Sequence, residues 1–321
     1  MQMFITIILL VVGFVLLIKG ADFFVDGSSS LAREFHIPGL VIGMTIVAMG
    51  TSLPELSVSV TSSIAGHNQL AVSNVIGSNI FNLMVVLGAS AVFSTLSVSK
   101  SVIKKDLPFS IFAALLIVLI GLTTGKVNRI WGIVFLAFFA FFIWSMIHRT
   151  MTSRKTAAEK AEDEELDQDF RIMPLWLTII YIVGGIIAIK FGGDLVVDSS
   201  EKIARAMGVS ETLIGLTIVA CGTSLPELAT SIVAAKKNEL DMAVGNAVGS
   251  NIFNLLAILG VAAVITPVAI SIENIIDAVV LIVFSFVVWL FCFKSKAIKK
   301  PAGFAMIAMY VSYLVYICIR K

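Results

Sequence analysis

Seven residues, Gly-Thr-Ser-Leu-Pro-Glu-Leu, occur twice without change, at 50–56 and at 222–228. Both copies lie inside hydrophobic segments, so each sets a glutamate where hydrocarbon would surround it. An ionised carboxylate in that setting is costly, and a chain that keeps two of them gives them a counter-charge or a task. The repeat extends well beyond the motif. Adding 172 to any position from 22 to 88 gives its counterpart with no gap: Asp22 maps to Asp194, Asp26 to Asp198, Gly43 to Gly215, Glu55 to Glu227, Asn74 to Asn246, Asn82 to Asn254 and Gly88 to Gly260. A second identical run, Gly-Ser-Asn-Ile-Phe-Asn-Leu, stands at 77–83 and 249–255.

With 58% hydrophobic and 14% charged residues and a mean hydropathy of +1.01, the chain lies outside the range of soluble domains. Ten apolar stretches recur, near 3–20, 37–62, 71–97, 107–124, 129–147, 173–193, 210–235, 243–268, 275–293 and 302–319. Each is long enough to cross a bilayer core of about 30 Å as a helix. Ten spans shared by two copies make five each, and an odd number sends the second copy through the membrane upside down. Secondary transporters use this plan and bind their substrates near the midplane, where the repeats meet. The expected fold is an all-α membrane protein of ten transmembrane helices in two inverted five-helix repeats, residues 1–147 and 172–321. A linker at 148–171 joins them. The first apolar segment lacks the basic amino end and the small-residue cleavage site of a signal peptide, so it is read as a retained helix.

Basic residues set the orientation. If alternate loops share a side, fifteen Lys and Arg fall with the loops after spans one, three, five, seven and nine, against six on the other side. Both termini are therefore expected outside the cytoplasm, and the linker inside it. The linker's acidic run, Glu162 to Asp169, lacks the glycine-centred spacing of an EF-hand loop and reads as a solvated connection. Cys221, Cys292 and Cys318 lie in hydrophobic segments without metal-ligand spacing and read as packing residues.

The chemistry sits in the paired motifs. In a helix, Pro54 has no N–H for the carbonyl of Gly50, and Pro226 none for that of Gly222, so backbone oxygens are expected to be released at Ala48 to Thr51 and at Ala220 to Thr223. Released carbonyls persist at membrane depth only where they line a cavity or bind something. Thr51 and Ser52 precede Glu55 by four and three residues and share its helix face, as Thr223 and Ser224 do with Glu227. Ser78 with Asn82, and Ser250 with Asn254, repeat the four-residue spacing on the adjoining helices. Carboxylate, hydroxyl, amide and carbonyl oxygens are hard ligands that suit Ca²⁺ and Na⁺ rather than Zn²⁺ or Cu⁺.

Plainer roles account for the rest. Gly77, Gly88, Gly249 and Gly260 are expected to let helices pack closely. Ser57, Ser59 and Thr230 are expected to bond back to their own helices. Asp22, Asp26, Asp194 and Asp198 fall near helix ends, where solvation or capping explains them, and Lys19 and Lys190 can snorkel.

In these motifs the chain resembles a prokaryotic member of the Ca²⁺/cation antiporter superfamily, of the sodium/calcium exchanger type. The resemblance covers essentially the whole chain, and the paired motifs correspond to that family's two alpha repeats. It implies that Glu55 and Glu227 are shared ligands for Ca²⁺ and Na⁺. Thr51, Ser52, Thr223, Ser224, Ser78 and Ser250 would complete the ion sites, with backbone oxygens from Ala48 and Ala220 and with Asn82 and Asn254 at the centre. Potassium-dependent relatives carry Asp at the position of Asn254; here both residues are Asn, which argues against K⁺ co-transport. The linker is far too short for the regulatory domains of animal exchangers.

The resulting expectation is an antiporter, not an enzyme, that exchanges Na⁺ for Ca²⁺ by alternating access. Four central helices would hold the ions while the first and sixth slide. Its partners are the two transported ions and the bilayer of a prokaryotic inner membrane, with no cofactor, nucleic acid or obligatory protein partner. One rival is a proton/Ca²⁺ exchanger using the same glutamates. A membrane-embedded hydrolase is the other, disfavoured because His36, His67 and His148 all lie outside the glutamate motifs.

Overall fold

The computed structural model describes residues 2–66, 68–158, 172–209 and 220–320, and these are mostly helical. In the first half, α1 (Gln2–Glu34) leads to α2 (Gly39–Thr51), α3 (Leu53–Ile64), α4 (Leu70–Phe93), α5 (Val102–Thr124) and α6 (Arg129–Ala158). After the linker come α7 (Leu175–Ala206), a single helical turn at Ala220–Gly222, α8 (Leu225–Lys236), α9 (Leu240–Ile265), α10 (Ile272–Ser295) and α11 (Lys300–Arg320). Among the described residues, eight helices are long and apolar enough to span a bilayer, and α2 with α3 make a ninth if the bent pair counts as one span. The start of the expected seventh span, with Gly215, lies outside the described residues, as do His67 and the acidic run of the linker.

Burial orders these helices. The apolar windows of α4 and α9 are 78% and 83% buried, so this pair forms the centre, whereas those of α1 and α7 are only 17% and 22% buried. On the outer helices the exposed side chains include Phe4, Val15, Ile18, Ile133, Trp144, Phe191, Phe286 and Val315, a surface suited to lipid rather than water. Two short antiparallel pairings tie the halves together: β1 (Leu96–Ser97) with β4 (Ala297–Ile298), and β2 (Lys126–Val127) with β3 (Val268–Ala269).

Helices α1 and α7 lie against each other along their lengths, because glycines remove the side chains between their backbones. A Cβ on Gly20 would stand 2.8 Å from the Ile189 nitrogen, and one on Gly192 only 2.5 Å from that of Leu17. Gly249 plays the expected packing role in the centre, where a Cβ would meet Met44 Cα at 2.6 Å. For Gly77 no described residue lies within 4 Å of an added Cβ, and Leu216, which the repeat relates to Met44, lies outside the described residues.

Both long helices run well past the apolar stretches at 3–20 and 173–193. At 33 residues α1 is about 50 Å long, more than a bilayer core requires. This corrects the reading of the four aspartates. Asp22 and Asp26 are not caps but lie within α1, where Lys237 Nζ meets Asp22 Oδ1 at 2.5 Å and Asp26 Oδ1 at 2.6 Å. Burial disfavours the Lys237 ammonium, but the hydrogen bonds and charges of Asp22 and Asp26 outweigh it and hold its pKa above the ordinary lysine value. Asp194 and Asp198 lie within α7, and Asp194 pairs with Lys190 one turn away at 2.7 Å.

Candidate ion-binding site

The site grows from the break between α2 and α3. Pro54 sits in the first turn of α3, Ser52 leaves helical geometry with φ −84° and ψ 13°, and the two helices meet at 48°. Pro226 occupies the same place in α8, after Ser224 with φ −95° and ψ 8°. Each break starts a new helix with a glutamate in its first turn, where unpaired backbone N–H groups favour negative charge. Glu55 and Glu227 are both fully buried.

The two carboxylates are held crosswise. Ser52 Oγ donates to Glu227 Oε1 at 2.7 Å, and Ser224 Oγ donates to Glu55 Oε1 at 3.0 Å. Each glutamate is thus oriented by the serine that stands three residues before the other, so both repeats are needed to build either half. The remaining oxygens, Glu55 Oε2 and Glu227 Oε2, have no hydrogen-bond partner among the described residues. Nor do Ser78 Oγ, Thr223 Oγ1, Asn254 Oδ1 or either amide atom of Asn82. A buried polar atom left unpaired costs about 1–3 kcal/mol. Oxygens in this condition, concentrated on the residues singled out from sequence, make a donor set for a hard cation.

Helices α4 and α9 bring the central asparagines into place. Each is wound as a π-turn at that point, over Asn82–Val86 and Phe253–Ile258, a distortion frequent at functional sites. Asn254 Nδ2 donates to Asn79 Oδ1 at 3.1 Å, and Ser250 Oγ reaches the Ala48 carbonyl at 3.4 Å. The Thr51 hydroxyl lies 3.0 Å from the Val47 carbonyl and 3.1 Å from Asn246 Oδ1.

Three local expectations need correction. The Ala48 carbonyl is not released, because the amide of Ser52 still reaches it at 3.1 Å; the proline frees Gly50 instead. In the second repeat the matching amide, Ser224 N–H, has moved to the Cys221 carbonyl at 3.2 Å. Ser59 and Thr230 do not bond back to their helices: Ser59 Oγ accepts from Asn74 Nδ2 at 3.1 Å, and Thr230 Oγ1 has no partner among the described residues.

Four asparagines matter beyond those singled out. Asn74 Nδ2 and Asn246 Nδ2 each donate to the backbone carbonyl of the glutamate in their own repeat, Glu55 and Glu227, at 3.3 Å. Asn79 and Asn251, related by the repeat, exchange side-chain to backbone bonds at 3.1 Å and join the central helices. Their signal was present in sequence, since Asn79 and Asn251 fall inside the second identical run and Asn74 and Asn246 keep the repeat register.

A cavity of about 320 Å³ adjoins the site, lined by Pro54, Ser57 and Val58, by Gly193, Asp194 and Asp198 of α7, and by Thr223 and Pro226. It brings the Lys190–Asp194 pair, Asp198 and the Thr223 hydroxyl, which has no partner among the described residues, to one space.

The family model of the sodium/calcium exchanger proteins matches residues 5–148 and 177–319. The chain belongs to this family. Among exchanger relatives, MaX1 of Methanosarcina acetivorans, a sodium/calcium exchanger, is 29% identical over 96% of this chain and 97% of its own. The inner membrane protein YrbG of Escherichia coli is 35% identical over 88% of each. A solved structure of the sodium-calcium exchanger NCX_Mj superposes with a TM-score of 0.82 at 30% identity, covering 97% of this chain and 98% of that one. The chain is therefore a multi-span membrane protein of the cation/Ca²⁺ antiporter kind.

Proposed function

We propose that this protein exchanges Na⁺ for Ca²⁺ across the membrane by alternating access, with Glu55 and Glu227 as ligands common to both ions. The observation that carries the reading is the crossed pair: two buried carboxylates, each fixed through one oxygen to a serine of the other repeat and each with its second oxygen unpartnered among the described residues. Two ionised carboxylates match the charge of one Ca²⁺. Thr51, Ser52, Thr223, Ser224, Ser78, Ser250, Asn82, Asn254 and the backbone of Ala48 and Ala220 supply the oxygen-rich surroundings that replace the ion's water. Because Na⁺ and Ca²⁺ need the same oxygens, they compete, and competition couples their movements.

The proposal includes ten spans, of which the seventh, expected over 210–235, begins outside the described residues. Residues 1–147 and 172–321 are the inverted repeats, joined by the linker at 148–171. The basic asymmetry of the loops supports termini outside the cytoplasm of a prokaryotic cell. The relatives MaX1 and NCX_Mj, both named as sodium/calcium exchangers, support the ion pair.

Counter-ion dependence of ⁴⁵Ca²⁺ flux in proteoliposomes tests the reading. An outward Na⁺ gradient should drive Ca²⁺ uptake with no pH gradient present. Uptake driven by a pH gradient and indifferent to Na⁺ would replace it with proton/Ca²⁺ exchange at the same carboxylates.

A further inference from the structure

The two repeats share a sequence plan but not a conformation. Helix α1 packs along α8, whereas its counterpart α7 makes no comparable contact with α3, and the cavity opens there instead. The same asymmetry reaches the centre. Among the described residues, Thr51 Oγ1 reaches the Asn246 amide while Thr223 Oγ1 has no such partner, and Asn254 Nδ2 is bonded while Asn82 Nδ2 is not.

On the closed side stands an ionic tie with no counterpart in sequence. Lys237, in the turn after α8, reaches back to α1 and binds Asp22 Oδ1, the Asp22 carbonyl at 3.2 Å and Asp26 Oδ1. Arg33 near the end of α1 reinforces it by pairing with Glu239 of the same turn at 3.2 Å. The aspartates recur as Asp194 and Asp198, but the position related to Lys237 is Ala65. On the open side Asp194 is held by Lys190 of its own helix, and an intrahelical pair cannot fix α7 against α3.

We propose that Lys237 is a one-sided latch: it ties α1, and with it the closely packed α1–α7 pair, to the α8–α9 turn and biases the protein toward the conformer open beside Asp194 and Asp198. In the opposite conformer, where the repeats exchange shapes, Ala65 offers no tie. The two states then differ in free energy even without ions. Lys237 is a positioning residue that touches no transported ion, and the proposal rests on the alternating-access reading.

The test reads conformation and needs no transport. With Cys221, Cys292 and Cys318 replaced by serine, a single cysteine is placed at Val58, which lines the cavity, or at its buried counterpart Thr230. A hydrophilic maleimide is applied to purified protein in detergent without Na⁺ or Ca²⁺. In the parent, Val58→Cys should react faster than Thr230→Cys. Adding Lys237→Met should speed Thr230→Cys by about twofold to fivefold, the range expected when an ion pair of this exposure biases a two-state equilibrium. Lys237→Arg should keep the parent ratio. Ala65→Lys should by itself raise the Thr230→Cys rate and lower that of Val58→Cys, a gain that a purely structural lysine could not produce. Lys237→Met in monodisperse protein with unchanged rates, or Lys237→Arg behaving as Lys237→Met, overturns the latch. Should Lys237→Met fail to fold, Ala65→Lys decides: unmoved rates at both cysteines also overturn it. Na⁺-driven flux of the parent is measured separately, so a shift in labelling without Na⁺ coupling sinks the ion assignment and leaves the latch standing.

Discussion

Ser52 of the first repeat donates its hydroxyl to Glu227 of the second at 2.7 Å, and Ser224 returns the bond to Glu55. Neither glutamate is positioned by its own motif alone. A hydrogen bond to a buried charged acceptor is worth about 1.5–3 kcal/mol, so Ser52→Ala should raise the KM for Ca²⁺ by about tenfold or more. Ser224→Ala should do the same to a comparable degree. Initial ⁴⁵Ca²⁺ flux against Ca²⁺ concentration measures both, and an unchanged KM in the pair would separate the serines from ion binding.

Asn82 and Asn254 stay neutral at every accessible pH, and each offers an amide oxygen with no partner among the described residues rather than a carboxylate. Ca²⁺ exchange at clamped membrane potential should therefore run equally well with and without K⁺. A strict K⁺ requirement would mean that the central pair has been misread.

Much of this was legible in sequence, and the boundary is physical. The identical runs, the offset of 172 and the prolines located both glutamates, their serines and the helix breaks, because these depend on local covalent facts and on apolar pattern. What was not legible depends on how the copies meet. Nothing in the spacing of Ser52 and Glu55 tells that each serine serves the other repeat's carboxylate. The reach of α1 to Glu34 was hidden because Asp22 and Asp26 read as a boundary until Lys237, distant in sequence, is seen to pair with both. The release of Ala48 was misjudged because a proline removes only the bond to the carbonyl four residues back, and that carbonyl belongs to Gly50.

Acid should inhibit by competition. Protons and Ca²⁺ require the same oxygens of Glu55 and Glu227, so lowering pH should raise the KM for Ca²⁺, and higher Ca²⁺ should restore flux. Inhibition that Ca²⁺ leaves untouched would place the titrating group elsewhere. Lys237 should contribute nothing to this profile. Its pKa is raised by Asp22 and Asp26 despite burial, so the tie is fully formed below the ordinary lysine value of about 10.4 and is lost only as pH rises through the raised one. The Val58→Cys to Thr230→Cys labelling ratio should accordingly stay constant from about pH 6 to 9 once corrected for thiol ionisation.

Topology is tested by single cysteines at Lys160 and at Lys202. An impermeant thiol reagent should reach Lys160→Cys only from the cytoplasmic side and Lys202→Cys only from outside. Reversed labelling would overturn the orientation, and labelling of both from one side would show that α7 does not cross the membrane.

The central claim is that Glu55 and Glu227 act together as one divalent site. Glu55→Gln or Glu227→Gln keeps the shape of the site but leaves Ca²⁺ with one uncompensated charge away from water, at a cost of several kcal/mol. The decisive measurement is Na⁺-gradient-driven ⁴⁵Ca²⁺ flux of each variant, purified as monodisperse protein, beside Glu201→Gln, which removes only an i,i+4 pair with Arg205 near the end of α7. The account predicts flux abolished or reduced by about a hundredfold or more in either site variant and near-normal in Glu201→Gln. Near-normal flux in both Glu55→Gln and Glu227→Gln would contradict it.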